Sequence, residues 1–142
     1  MLELSSGAAL TTLFVVSFAA ATILPGGSEI ALIAVIQRNP ETVWSAIAVA
    51  TAGNTLGAMT TYAIGRLIPN RIRSTAIATV QRYGAWALLF AWLPVVGDAL
   101  ALAAGWLRLN PWISIVALAA GKLARYLVVA AAWLGIAASL LH

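Results

Sequence analysis

Leu24-Pro25-Gly26-Gly27-Ser28-Glu29 interrupts a long apolar run with a proline, two glycines and a carboxylate. Leu93-Pro94-Val95-Val96-Gly97-Asp98 does the same later, again with an acid four residues after the proline. Each break is followed by a short apolar piece, an Asn-Pro pair (Asn39-Pro40, Asn110-Pro111) and a long apolar stretch. Within those stretches Ala52-Gly53-Asn54 answers Ala120-Gly121-Lys122. The prolines lie 69 residues apart, the Asn-Pro pairs 71 and the Ala-Gly pairs 68. Such offsets suit an old duplication. Broken apolar segments at corresponding places in two halves point to a transporter-type binding site.

Composition fixes the solvent. Of 142 residues 63% are hydrophobic and only 8% charged, where a water-soluble domain carries about a quarter charged residues. This is the composition of an integral membrane protein. The length implies a single domain, 1–142, with one repeat at about 7–66, an interfacial linker at 67–83 and a second repeat at about 84–136. The net charge of +4 then reports orientation and anionic headgroup contact, not nucleic-acid binding. With no cysteine in the chain, disulfides, thiolate metal sites and a Cys nucleophile are excluded. Phe18-Ala19-Ala20-Ala21 mimics a signal cleavage spot, but the first six residues hold Glu3 and no Lys or Arg. The segment therefore reads as part of the mature protein.

Residues 7–24 are apolar up to Pro25-Gly26-Gly27, where proline removes a donor and glycine permits non-helical dihedrals. Ser28 is the expected N-cap of a second piece that ends near Ile36. That piece is too short to span, since a crossing takes about 20 residues. Residues 42–65 are long enough to cross once, and Gly53, Gly57, Thr61 and Gly65 form a small-residue stripe. The stripe is read first as a helix-packing surface, with Asn54 and Tyr62 in its polar core. Arg66, Arg71, Arg73 and Arg82 then mark a cytoplasmic segment. Ile72, Ala76, Ile77 and Val80 share one face there, as in a short helix lying on anionic lipid. The apolar arms on either side of Pro94 are each about half a bilayer long and suit a re-entrant hairpin. Residues 112–136 can span but hold Lys122 and Arg125 at mid-length, and His142 is a terminal residue, not a ligand.

Two topologies follow. One hairpin and one crossing per half make an all-α inverted repeat with both termini outside. Four full spans, kinked at Pro25 and Pro94, put both termini inside. Each places residues 66–82 in the cytoplasm, so charge counting does not separate them.

Glu29, Asp98, Lys122 and Arg125 all fall at membrane depth. Each costs about 2.5–3.5 kcal/mol at a helix centre, so an interior cluster of mutual pairs is the economical arrangement. The bland reading makes that cluster glue between repeats. The functional one takes Glu29 and Asp98 as proton-coupling acids, although Asp98 also suits a helix cap. Half-helix N-termini at Gly26, Gly27, Ser28 and Gly97 would direct N–H groups at an anion such as phosphate. Lys122 and Arg125, three apart on one helix face, would add cationic contacts. No Ser-His-Asp set, HExxH, Walker loop or GxGxxG is present, so neither an enzyme nor a cofactor or metal site is expected.

Pro25-Gly26-Gly27-Ser28-Glu29, Gly53-Asn54-Thr55-Leu56-Gly57 with Tyr62, and Gly65-Arg66 resemble the DedA family, also called the VTT or SNARE-associated domain. Arg82-Tyr83-Gly84, Pro94-Val95-Val96-Gly97-Asp98, Ala104-Gly105-Trp106, Gly121-Lys122 and Arg125-Tyr126 extend the likeness over nearly the whole chain, most closely to its small YqaA-type branch. The resemblance implies paired re-entrant hairpins, a bacterial inner-membrane location with several crossings, and proton-dependent movement of undecaprenyl phosphate or phospholipid between leaflets. Where the broader family has an acid and two arginines, this chain has Ala58, Ala91 and Gly97. Lys122 and Arg125 are therefore expected to supply the missing cations. The partners implied are membrane lipids and an anionic lipid substrate. A homodimer would enlarge the small wall available to a lipid. The competing functions are a proton-coupled carrier of a small solute or ion, and a non-transporting membrane scaffold.

Overall fold

The computed structural model describes residues 5–22, 26–69 and 75–141. Glu3, the Leu24-Pro25 step, Arg71, Ile72, Arg73 and His142 lie outside the described residues. The elements are α1 (Ser6–Thr22), α2 (Gly27–Arg38), a 3₁₀ turn (Pro40–Thr42), α3 (Val43–Leu67), α4 (Thr75–Tyr83), a 3₁₀ arm (Gly84–Trp92), α5 (Val96–Trp106) and α6 (Pro111–Leu140). No strand occurs among the described residues. The chain is all-α.

Local chemistry sets most boundaries. Gly26 holds φ at 97° at the start of α2, a left-handed conformation that glycine adopts without a Cβ penalty. Ser28 is not the cap: it lies inside the first turn, fully buried, and makes no capping bond. Its hydroxyl is occupied by Tyr126 instead. At the second break Val95 carries φ 67°, and the Val96 N–H turns back to the Pro94 carbonyl at 2.7 Å. Asp98 lies in the first turn of α5 but also makes no cap bond. Asn110 does cap: its Oδ1 accepts from the N–H groups of Trp112 (2.9 Å) and Ile113 (3.4 Å), with Pro111 at the first helical position. The arm before Pro94 is a 3₁₀ helix of nine residues, entered through Gly84 at φ 61°. At about 2 Å rise per residue it reaches further than an α-helix of the same length.

Two apolar clusters flank the middle of the molecule. One joins Leu13, Leu32 and Ile36 to Ala46, Ile47 and Ala50 of α3 and to Tyr126 and Ala130 of α6. The other joins Ala58 and Tyr62 of α3 to Leu118 of α6, with Ile77, Leu88 and Leu100 from the elements between. The early part of α3 thus shares a cluster with the later part of α6, and the reverse. The two long helices run antiparallel past each other.

Glycines set how closely these helices approach. A Cβ on Gly53 would meet the Phe14 carbonyl at 2.6 Å, and one on Gly57 the Phe18 carbonyl at 2.5 Å. Both therefore seat α1 on α3, where the Thr61 hydroxyl also donates to the Ala21 carbonyl at 3.2 Å. Gly65 and Gly105 do the same between α3 and α5, and Gly121 lets α6 reach the Leu89 carbonyl of the 3₁₀ arm. The small-residue stripe is a packing surface.

One expectation changes. The apolar face of α4 does not lie on lipid: Ile77 and Val80 are buried in the second cluster, against α5 and the 3₁₀ arm. A nine-residue helix cannot serve both surfaces with one face. Among the described residues, α6 is the one helix both long and apolar enough to cross a membrane. At 25 residues α3 has the length, but its Thr, Asn and Gly residues keep it below the same apolarity.

A Cβ at Gly105 would sit 1.8 Å from the Tyr62 carbonyl, whereas one at Gly135 meets nothing within 4 Å. Gly105→Ala is expected to destabilise the folded protein by about 3 kcal/mol, as overpacking against main chain does. Gly135→Ala is expected to leave stability unchanged or slightly raised. Thermal unfolding of both variants in detergent is the check.

Candidate functional site

Between the apolar clusters lies a polar layer built on α6. Lys122 is 1% exposed. Its ammonium donates to the Asn54 Oδ1 of α3 and stands 3.6 Å from the Asp98 carboxylate of α5. Asn54 is held in turn by its Nδ2, which donates to the Ser17 carbonyl of α1 at 3.2 Å. One group thus ties four helices, and Gly53 beside it lets α1 come close enough for the Asn54 bond.

One turn further along α6, Arg125 pairs with the Glu29 carboxylate of α2. Its guanidinium also lies 5.9 Å from the Tyr126 ring centroid. The fully buried Tyr126 hydroxyl donates to Ser28 Oγ at 2.9 Å, and that hydroxyl donates to Glu29 Oε2 at 3.4 Å. The acid after the second break therefore meets Lys122, and the acid after the first break meets Arg125. The four charges balance in two pairs.

Two spaces border this layer. A polar cavity of about 10 Å³ is lined by Gly26, Ser28, Asn54, Pro94, Asp98 and Arg125, room for about one water. An open cleft of about 460 Å³ is lined by Gly26, Glu29, Trp92, Pro94, Arg125, Val128 and Val129. Arg125 borders both, between residues of the two breaks.

The remaining candidates divide by place. Gly26 borders both spaces, while Gly27 opens α2. Gly97 packs against Ala91, and its N–H is taken by the Leu93 carbonyl at 3.0 Å. The Val96 and Ala99 N–H groups are likewise bonded, to Pro94 and Val95, so these donors of α5 are not directed at an anion. Lys122 lines neither space. Gly53 and Gly57 serve packing. Tyr62 donates its hydroxyl to the Leu109 carbonyl, and Arg66 is exposed over the Tyr62 ring. No group of three or more His, Cys, Asp or Glu that could hold a metal occurs among the described residues.

Tyr126, Trp92, Val128 and Val129 were not marked as site residues by charge and break alone. Tyr126 could have been found, because it stands four residues after Lys122 on the same helix face. Trp92 and the valines carry no local signal that separates them from lipid-facing residues.

An all-α chain with a charge-paired polar layer between apolar clusters is, as a class, a helical membrane protein. It is 42% identical over 133 residues to the inner membrane protein YqaA of Escherichia coli K12, covering 91% of this chain and 94% of that one. The same figures hold for the inner membrane protein YqaA of Shigella flexneri. An uncharacterized protein of Haemophilus influenzae is 43% identical over 126 residues, 80% of each chain. The chain belongs to the family of the inner membrane protein YqaA, and to the inner membrane with it. No family model matches the chain, and no solved structure matches it.

Removing one partner of a buried ion pair strands the other charge, at about 3–5 kcal/mol. Lys122→Met should therefore destabilise strongly, and Lys122→Met with Asp98→Asn should recover more than half of the loss. Independent, additive effects in a double-mutant cycle of unfolding free energies would contradict the Lys122–Asp98 pairing.

Proposed function

We propose that this chain is a non-enzymatic carrier that moves an anionic lipid, such as a polyprenyl phosphate or a phospholipid, between leaflets. The observation that carries this reading is the position of Arg125, between an apolar-walled cleft and a polar cavity. A hydrocarbon chain suits Trp92, Val128 and Val129, while the guanidinium offers a planar fork to a phosphate. Lys122, enclosed by Asn54 and Asp98, acts in this scheme by fixing Asp98 and not by touching the lipid. The resemblance to the DedA, or VTT, family supports the same substrate chemistry.

The architecture proposed is an inverted repeat in which α1–α2 and the 3₁₀ arm–α5 are re-entrant hairpins and α3 and α6 are the crossings. The antiparallel course of α3 and α6 supports it, because four full spans would make the second and fourth parallel. Proton coupling follows from charge balance. Arg125 already has a carboxylate partner, so an entering phosphate displaces Glu29. Release of Glu29 from Arg125 and its protonation are thus one exchange, a proton on the acid for a phosphate on the cation.

Two measurements test this. Single cysteines at Ser5 and, separately, at Gln37 should label from the same side of the membrane; labelling from opposite sides would replace the hairpin with a kinked span. In proteoliposomes, movement of a labelled polyprenyl phosphate should fall roughly tenfold or more in Arg125→Ala, the loss of a charged hydrogen-bonding group. Arg125→Lys should recover part of it. Full activity of Arg125→Ala would end the assignment. Proton-linked solute flux without lipid movement would favour a solute carrier, and silence in both assays a scaffold.

A further inference from the structure

Ser28 lines the inner cavity and, through its hydroxyl, meets the acid that lines the outer cleft. Its side chain is fully buried, borders the small cavity with Asp98 and Asn54, and reaches Glu29 at 3.4 Å on the other side. Glu29 borders the outer cleft but not the inner cavity, and Asp98 the inner cavity but not the cleft. Direct proton exchange between the two acids has no path through either space alone. A hydroxyl has one donor and two acceptor positions. Here the donor faces Glu29 and one acceptor position is filled by the Tyr126 hydroxyl at 2.9 Å. The second acceptor position remains for a proton arriving from the cavity.

We propose that Ser28 is the proton relay between the inner cavity and Glu29, and that Tyr126 is the positioning residue that aims it. This rests on the proton-coupled reading above. The step balances without any further reactant. Ser28 Oγ accepts a proton from Asp98, through the one water that the cavity can hold, as its own hydroxyl proton passes to the Glu29 carboxylate. One O–H bond forms on Ser28 as another breaks. Asp98, ionised beside Lys122 at rest, first takes up a proton entering from water and then hands it on, so the net result is a protonated Glu29 and an Asp98 ionised as it began. The charges facing this path are Arg125 beside Glu29, and Lys122 beside Asp98. As Glu29 becomes neutral its hold on Arg125 weakens, which frees the guanidinium for an anion from the cleft. As Asp98 gives up the proton it returns to its ion pair with Lys122. The relay would thus move one proton and unlock one binding group in the same event.

The sequence places both residues where this needs them. Ser28 precedes Glu29 directly and follows the glycine pair that turns the chain. Tyr126 follows Arg125 directly, so the cation and the hydroxyl that orients its counter-ion's neighbour come from one turn of α6.

The test uses the full chain in phosphatidylethanolamine–phosphatidylglycerol vesicles, with a trapped pH dye and a labelled polyprenyl phosphate read together. Glu29→Gln comes first. Abolished proton movement with that variant supports the coupled reading, and unchanged proton movement overturns the reading and the relay with it. With that established, Ser28→Ala should cut proton movement at least tenfold, while binding of the labelled lipid stays near wild type and the protein, though less stable for the unpaired Tyr126 hydroxyl, remains folded. Ser28→Thr, which keeps a hydroxyl at the same carbon, should restore it to within about twofold. Tyr126→Phe should give an intermediate loss and scatter the proton-to-lipid ratio, a readout that a merely structural tyrosine would leave constant. Wild-type proton movement in Ser28→Ala, with Glu29→Gln inactive, overturns the relay and leaves the coupled reading standing. If Ser28→Ala does not fold, Ser28→Cys replaces it. The thiol keeps the volume but is a weak hydrogen-bonding group, so undiminished proton movement in that variant overturns the relay as well.

Discussion

A positive charge at Lys122, 1% exposed in the middle of the one helix long and apolar enough to span among the described residues, is the constraint to which the rest of the molecule answers. Its isolation would cost several kcal/mol, so it exists only with partners on more than one side. Asn54 and Asp98 supply them from two other helices. Those side chains are short, which forces the helices together. Glycine permits that approach, and Gly53, Gly65, Gly105 and Gly121 each stand where a Cβ would collide with a neighbouring carbonyl. Burying one ammonium and removing four methyl groups are parts of the same solution.

The consequence is a layered interior. Apolar clusters hold the two ends, and each contains part of α3 and part of α6. The polar layer between them is closed by ion pairs and hydrogen bonds. A buried ion pair is weak evidence for stability, since well-packed apolar residues of similar size do as well or better.

What was legible in the sequence was the chemistry that acts over a few residues. Gly26 and Pro94 marked the breaks because no regular helix passes through those residue types unchanged. Asn110-Pro111 marked the start of α6 because an Asx side chain and a fixed φ both favour a first turn. The spacing of Gly53, Gly57 and Gly65 announced close packing before any partner was known. Choices made across long distances were not legible. Ser28 looked like a cap by local rules, and only the presence of Tyr126, 98 residues away, shows why its hydroxyl is occupied elsewhere. The apolar face of α4 fitted lipid and protein equally well. The side of α5 on which the 3₁₀ arm would offer its own apolar surface is a tertiary fact, and it decided the matter.

The division of labour between the two halves is uneven, and this bears on how charge is used. At the 68-residue spacing of the Ala-Gly pairs, Lys122 answers Asn54 and Arg125 answers Gly57. The first-half positions make contacts that draw α1 against α3: Gly57 by having no side chain, Asn54 by its bond to Ser17. The second-half positions carry both cations, and each cation takes its acid from a different break. Two cations on one helix, facing acids on two others, make α6 the element on which both pairs converge. A shift of α6 by a fraction of a turn would alter both pairs together, whereas a shift of α2 or α5 would alter one. Any working cycle that separates these charges one at a time must therefore begin at a break, not at the long helix.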